Sequence, residues 1–156
     1  SDIARLADVF YIGGTKVGAL FGEAVVSQSP ALMRDFRYSI KQHGGMLAKG
    51  RLLGLQFEAL FTDNLYFEIA RHAVSEALRI KKALQDLDVP FLMESNTNQQ
   101  FPILPNDVVE RLNKNFLFTP WQRMSDTHTA IRICTSWGTT TENVDTLITA
   151  LTKELS

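Results

Sequence analysis

The spacing of hydrophobic positions changes along the chain and predicts where helices and strands lie. Apolar residues recur every three or four positions from Leu65 to Leu87, which predicts one long amphipathic helix that ends before Pro90. Further helices are predicted to begin near Pro30, Met46, Pro105 and Thr141. Short β-branched and aromatic runs predict six strands, at residues 8–12, 23–27, 89–94, 99–104, 116–122 and 129–135.

The order of these elements predicts two different kinds of structure. From residue 46 onward, the order helix, helix, strand, strand, helix, strand, strand, helix predicts an α+β layer, with helices on one face of a small, mostly antiparallel sheet. Before residue 46, two short apolar strands are joined by a glycine-rich segment that contains Lys16. Buried strands need neighbours on both sides, and the remaining sequence offers no candidates for them. We therefore expect these residues to be part of a longer chain.

Composition and charge argue against several classes of protein. The 156 residues are 45% hydrophobic and 21% charged with a formal net charge of −1, and the isoelectric point is about 6.3. Neither nucleic acid nor an anionic membrane is therefore expected as a partner. With one cysteine, Cys134, and no paired spacing of histidines, neither an internal disulfide nor a metal site is expected. The N-terminus has no basic segment followed by an apolar run, so a cytoplasmic location is expected.

Lys16 stands between glycines directly after an apolar strand, in the sequence Gly-Gly-Thr-Lys-Val-Gly at residues 13–18. A lysine beside buried strands is poorly solvated, which favours the neutral amine that attacks carbonyl groups. A surface hairpin whose lysine points into water is the alternative, and the loop alone leaves both open. A phosphate-binding loop is not indicated, because that motif needs two glycines five positions apart and then Lys followed by Ser or Thr.

Arg132 lies on a predicted strand between Ile131 and Ile133, where an unpaired cation is costly. Its planar guanidinium can bind a carboxylate through two parallel hydrogen bonds. An arginine at a sheet edge that reaches solvent or a structural acid is the alternative interpretation.

Two segments together are similar to the threonine aldolase and β-eliminating lyase family. Residues 7–26 (Ala-Asp-Val-Phe-Tyr-Ile-Gly-Gly-Thr-Lys-Val-Gly-Ala-Leu-Phe-Gly-Glu-Ala-Val-Val) resemble the family's cofactor-lysine segment, and residues 131–137 (Ile-Arg-Ile-Cys-Thr-Ser-Trp) resemble its substrate-carboxylate segment. Many threonine aldolases have His where this chain has Ser136, and the Thr-Ser-Trp version is closer to the phenylserine-aldolase-like branch.

The resemblance implies a truncated α/β fold of the pyridoxal-phosphate (PLP) transferases, in the aspartate-aminotransferase-like fold type I. Residues 1–45 would be the C-terminal end of the large PLP-binding domain, and residues 46–156 a complete small α+β domain with an antiparallel sheet. The groups that hold the phosphate, stack on the ring and pair with its nitrogen would lie in the missing N-terminal part of the same enzyme. A homodimer or homotetramer is implied.

The resemblance also implies the roles of individual residues. Lys16 would bind PLP covalently, with Thr15, Lys41 and Lys49 as further cofactor-binding residues. The last two belong to the segment Lys-Gln-His-Gly-Gly-Met at residues 41–46 and its continuation, which the family places near the cofactor phosphate at a subunit boundary. The family has an arginine a few residues further on, and Ala48, Lys49 and Arg51 are all close to that position. Independently of the resemblance, the free backbone N–H groups at a glycine-rich helix start can bind an anion. Arg132 would bind the substrate carboxylate, and His43 is a further substrate-binding candidate or a helix-end residue.

The implied reaction is the retro-aldol cleavage of a β-hydroxy-α-amino acid of threonine or phenylserine type to glycine and an aldehyde, while residues 1–156 alone would be inactive. One alternative is a β-eliminating PLP lyase that acts on another amino acid. Another is a non-catalytic α+β interaction module from residue 46 onward, in which Lys16 has no role.

Overall fold

The computed structural model describes residues 2–155 and divides the chain into two compact units, Ser1–Tyr66 and Phe67–Ser156. The domain boundary predicted between residues 45 and 46 refers to the domains of a larger enzyme and stays a prediction. No helix among the described residues is both long enough and apolar enough to cross a membrane.

The first unit contains short helices and one two-stranded sheet. Its helices are α1 (Asp2–Leu6), α2 (Pro30–Met33), α3 (Phe36–Gln42) and α4 (Arg51–Phe61), its strands are β1 (Val9–Gly13) and β2 (Glu23–Ser27), and 3-10 turns form at Thr15–Val17 and Thr62–Asn64. The helix predicted from Met46 begins only at Arg51, because residues 45–47 are irregular and residues 48–50 form a turn.

Strands β1 and β2 pair with each other in an antiparallel hairpin, with Val9 opposite Ser27 and Gly13 opposite Glu23. The expectation that the chain offers these strands no neighbours is therefore wrong for one edge of each strand, because they pair with each other. They are also not buried as predicted, because Tyr11 is 69% exposed and alternate residues of both strands face away from the unit. No further strand pairs with this hairpin among residues 2–155.

The second unit is an α+β layer, as the sequence predicted. Its elements are α5 (Leu65–Asp86), whose first two residues belong to the first unit, β3 (Gln99–Gln100), β4 (Ile103–Pro105), α6 (Asn106–Leu112), β5 (Thr119–Arg123), β6 (His128–Cys134) and α7 (Thr141–Leu155). Strand β6 is the centre of the sheet, because β3, β4 and β5 all pair with it in antiparallel orientation.

One hydrophobic core joins the sheet to its helices. Ile131 and Ile133 of β6 are buried in a cluster that also contains Ile80 and Leu84 of α5, together with apolar residues of α6 and α7. Because successive side chains of a strand point to opposite faces, Arg132 lies on the other face of the sheet. Strand β6 therefore has one face in the hydrophobic core and an opposite face that carries Arg132.

Two predicted strands differ from the structure because of prolines. The strand predicted at residues 89–94 was wrong: only an isolated bridge forms there, between Phe91 and Pro102. The strand predicted at residues 99–104 is interrupted at Phe101 and Pro102, which separates β3 from β4. Pro90 and Pro102 have no N–H group, so neither can donate to a continuous ladder, although the carbonyl of each accepts one backbone hydrogen bond.

Candidate functional site

Lys16 occupies the middle of a 3-10 turn that follows β1 directly. The carbonyl oxygen of Gly14 accepts hydrogen bonds from the backbone N–H groups of both Val17 and Ala19, each at 3.0 Å. Gly18 ends the turn in the left-handed region, at φ 102°, where a side chain would be strained. The glycines on both sides of Lys16 therefore form the turn that presents it.

Close packing beneath the lysine fixes this turn. Val17 and Ala19 are buried, and a Cβ atom added to Gly14 would lie 2.6 Å from the Cβ of Ala19 and 3.1 Å from the Cζ of Phe57. The backbone N–H of Leu20 also donates to Oε1 of Gln56 on α4, at 2.6 Å. The turn is thus held to α4 by packing and by a hydrogen bond, while its lysine is left outside that contact.

The side chains of Lys16 and Thr15 are exposed. Of the two interpretations left open for Lys16, residues 2–155 do not provide the poorly solvated environment, because β1 and β2 are themselves largely exposed. They match the alternative of a surface hairpin. Within the same residues, the amine of Lys16 has no hydrogen bond or ion pair. It is an accessible, unpartnered amine on a fixed turn.

A second feature of the first unit is a groove of about 980 Å³ with an excess of positive charge. Its lining includes Arg37 and Lys41 of α3 and Arg51 at the start of α4, against the single carboxylate of Glu23. No ion pair joins these groups within the described part of the chain. Three cations beside one carboxylate suit an anion such as a phosphate group.

The structure separates the other residues that were predicted near a cofactor phosphate. Lys41 lines the groove, whereas Lys49 is exposed and does not line it. His43 forms the C-terminal cap of α3, with its Nδ1 atom 2.9 Å from the carbonyl oxygen of Ser39, which is the helix-end role considered for it. Sequence reasoning did not select Arg37, although its position four residues before Lys41 places both cations on one face of α3.

In the second unit, Arg132 is half-buried on β6 and has no anionic partner. No hydrogen bond or ion pair reaches its guanidinium among residues 2–155. The guanidinium carbon lies 5.4 Å from the ring centroid of Trp121, which is within cation–π distance. The ring of Trp121 in turn meets Phe101 edge to face, with centroids 5.1 Å apart.

The buried charges elsewhere in this unit are compensated. Buried Glu76 accepts a hydrogen bond from Arg79 at 2.6 Å, and Arg79 also binds Asp145. These hydrogen bonds, first from Asp145 and then from Glu76, raise the pKa of Arg79 above its ordinary value. Lys81, also buried, donates to Glu94 at 2.6 Å. Among the described residues of this unit, Arg132 is thus a half-buried cation without an acidic partner.

A cavity of about 1100 Å³ lies beside α7 and the segment 115–118, and β6 forms part of its wall. It borders Val144 and Leu147, which belong to the core face of the sheet. Arg132 is also among the residues that line this cavity. Within residues 2–155, no group of three or more His, Cys, Asp or Glu side chains could hold a metal ion.

Comparison with known proteins places this geometry in a family. No protein-family model matches the chain. Low specificity L-threonine aldolases of Pseudomonas sp. (strain NCIMB 10558) and Pseudomonas aeruginosa are each 31% identical over 107 residues, which are 69% of this chain and 29% of theirs. A solved structure of Leishmania major threonine aldolase is 40% identical with a TM-score of 0.95, over 99% of this chain and 45% of that chain.

A more distant match identifies the fold. The structure of Sphingomonas wittichii serine palmitoyltransferase superposes with a TM-score of 0.67 at 13% identity, over 98% of this chain and 41% of that chain. The chain thus has part of the fold of the type I PLP transferases, as its sequence predicted. More closely, it belongs to the threonine aldolase and β-eliminating lyase family. It spans less than half the length of the relatives it matches.

Proposed function

We propose that the complete protein containing this chain is a PLP-dependent lyase that cleaves β-hydroxy-α-amino acids to glycine and an aldehyde. Arg132 carries this proposal, because a half-buried guanidinium without an anionic partner is a binding site for a carboxylate. The names of the Pseudomonas and Leishmania relatives support an amino acid of the threonine type. Ser136, after Thr135, favours the phenylserine-type branch of that substrate class.

The residues of the first unit suit PLP. Lys16 would hold the cofactor through its accessible amine, on a turn that packing against α4 keeps in place. Arg37, Lys41 and Arg51 line a groove with an excess of positive charge, which suits the cofactor's phosphate. Thr15, Lys49 and His43 stay predictions as cofactor- or substrate-binding residues. When bound, PLP supplies an electron-withdrawing ring that accepts the electron pair released by the scissile bond.

The protein's own contribution is binding and orientation. Arg132 would bind both carboxylate oxygens of the amino acid, which holds the carboxylate in one place and thereby fixes the rotation about the bond between Cα and the amino nitrogen. When the Cα–Cβ bond breaks, the β-hydroxyl group loses its proton and its carbon becomes the aldehyde, while Cα gains a proton and is released as glycine. An arginine that fixes this rotation selects which bond at Cα is broken.

The test is product analysis on the complete protein with added PLP. L- and D-threonine and both enantiomers of phenylserine would be supplied separately, and glycine and aldehyde are expected in equal amounts from at least one of them. Formation of a keto acid and ammonia in place of glycine would instead indicate β-elimination. Absence of PLP binding would contradict enzymatic function and favour an interaction module.

The proposal also covers the activity of residues 1–156 alone, and the oligomeric state and location of the complete protein. We expect residues 1–156 alone to be inactive, because PLP needs ring-stacking and nitrogen-pairing groups besides Lys16. We also expect a homodimer or homotetramer and a cytoplasmic location. Adding PLP and threonine to the isolated residues 1–156 is the matched control for the product analysis, and aldehyde formation there would contradict the first expectation.

A further inference from the structure

We propose that Trp121 is a positioning residue for the substrate carboxylate, because its indole ring holds the guanidinium of Arg132 in place. This inference rests on the proposed function, in which Arg132 binds the carboxylate. The guanidinium carbon lies 5.4 Å from the centroid of the Trp121 ring, and among residues 2–155 no hydrogen bond or ion pair reaches the Arg132 side chain. The indole is therefore its specific partner in this part of the chain.

An aromatic partner leaves the charge and the N–H groups of an arginine free, whereas an acidic partner engages both. The ring attracts a cation through its face, so it neither neutralises the charge nor uses the N–H groups in the guanidinium plane. The contrast within this unit is Arg79, whose donors are engaged by Glu76 and Asp145. Trp121 can thus restrict the position of Arg132 while its bidentate edge stays available to a carboxylate.

An irregularity in strand pairing places Trp121 at this position. On β5, Thr119 is opposite Arg132 and Pro120 is opposite Ile131, but Gln122 is opposite Ala130. Trp121 is therefore an extra residue without an opposite residue on β6. Such a bulge bends a strand locally and redirects a side chain, and bulges are frequent next to active sites.

The sheet also supports the ring from a second direction. Phe101 is 7% exposed and lies between β3 and β4, which pair with the two ends of β6. Its ring meets that of Trp121 at an interplanar angle of 60° with centroids 5.1 Å apart. This edge-to-face contact stabilises an aromatic pair and would restrict the indole. Trp121 itself is 48% exposed, so a ligand can reach the ring against which Arg132 lies.

The test replaces the aromatic ring with an aliphatic side chain. In the complete protein with PLP, Trp121→Leu should raise KM for the cleaved amino acid about 10-fold with kcat changed less than about 2-fold, because an interaction of cation–π strength is lost in binding. Trp121→Phe should restore most of the affinity, since it retains an aromatic face. A folded Trp121→Leu protein with unchanged KM would overturn the proposal, as would a Trp121→Phe protein as weak as Trp121→Leu.

A double-variant cycle distinguishes positioning through Arg132 from a general packing role. In the Arg132→Leu background, Trp121→Leu should add less than about 2-fold to KM, because the guanidinium it positions is gone. A full additional 10-fold loss in that background would show that Trp121 acts independently of Arg132. Thermal unfolding of each variant identifies any that fail to fold, and Trp121→Phe keeps the comparison decisive if Trp121→Leu is among them.

Failure of the proposed function is distinguishable from failure of this inference. If the complete protein cleaves threonine or phenylserine, and Arg132→Leu impairs cleavage while Trp121→Leu does not, only the positioning role is overturned. If no substrate is cleaved, calorimetric titration with glycine decides the inference separately. Weaker glycine binding in both Arg132→Leu and Trp121→Leu would support it, and equal binding in all variants would overturn it.

Discussion

The guanidinium of Arg132 faces the indole of Trp121 at 5.4 Å, and no carboxylate among the described residues reaches it. The two side chains come from paired strands of one sheet, eleven positions apart in the sequence but joined by the register of β5 and β6. A cation that the sheet positions but does not neutralise is expected to bind an anionic ligand.

Arg132→Leu should weaken amino-acid binding in the complete protein far more than PLP binding. Loss of a charge-assisted contact to a carboxylate costs about 2–4 kcal/mol, so KM should rise by roughly 30- to 1000-fold. The matched control is Arg123→Leu on the adjacent strand β5, where an exposed ion pair with Asp126 contributes little. Steady-state kinetics measures both variants, and equal effects would assign Arg132 a structural role.

Gly14→Ala should destabilise the turn that presents Lys16. The added methyl group would lie 2.6 Å from the Cβ of Ala19, which forces a backbone shift at an estimated cost of about 1–3 kcal/mol. Gly13→Ala is a close control, because nothing lies within 4 Å of a Cβ added there. Thermal unfolding and PLP affinity of the complete protein measure the difference. Similar values for the two variants would contradict the packing described beneath the lysine.

The sequence predicted the elements whose signals are local. The apolar stripe predicted α5 from its first residue, Leu65, and β2 was predicted with the same bounds that the structure has. The face of Arg132 was also accessible to sequence reasoning, because Ile131 and Ile133 on either side alternate with it and both enter the core. Periodicity and strand alternation are properties of a few consecutive residues, so the pattern itself carries them.

Features that depend on distant parts of the chain were not predicted. The position of the Trp121 ring beside Arg132 requires a register shift of one residue between β5 and β6, which the pattern of apolar positions does not encode. Pro90 and Pro102 limited the pairing of residues that otherwise had the composition of strands. The sequence left open whether Lys16 lies beside buried strands or on a surface hairpin, because the burial of its two flanking strands depends on residues elsewhere; in the structure they form an open hairpin.

Chemical labelling tests most directly whether Lys16 is the residue that binds PLP. The complete protein would be incubated with PLP, reduced with borohydride, digested and mapped by mass spectrometry. Lys16→Ala, treated identically, provides the matched control. We predict that a pyridoxyl group is found on Lys16 and that its peptide is unlabelled in the variant. A label on another lysine of the unsubstituted protein, or none at all, would contradict the claim.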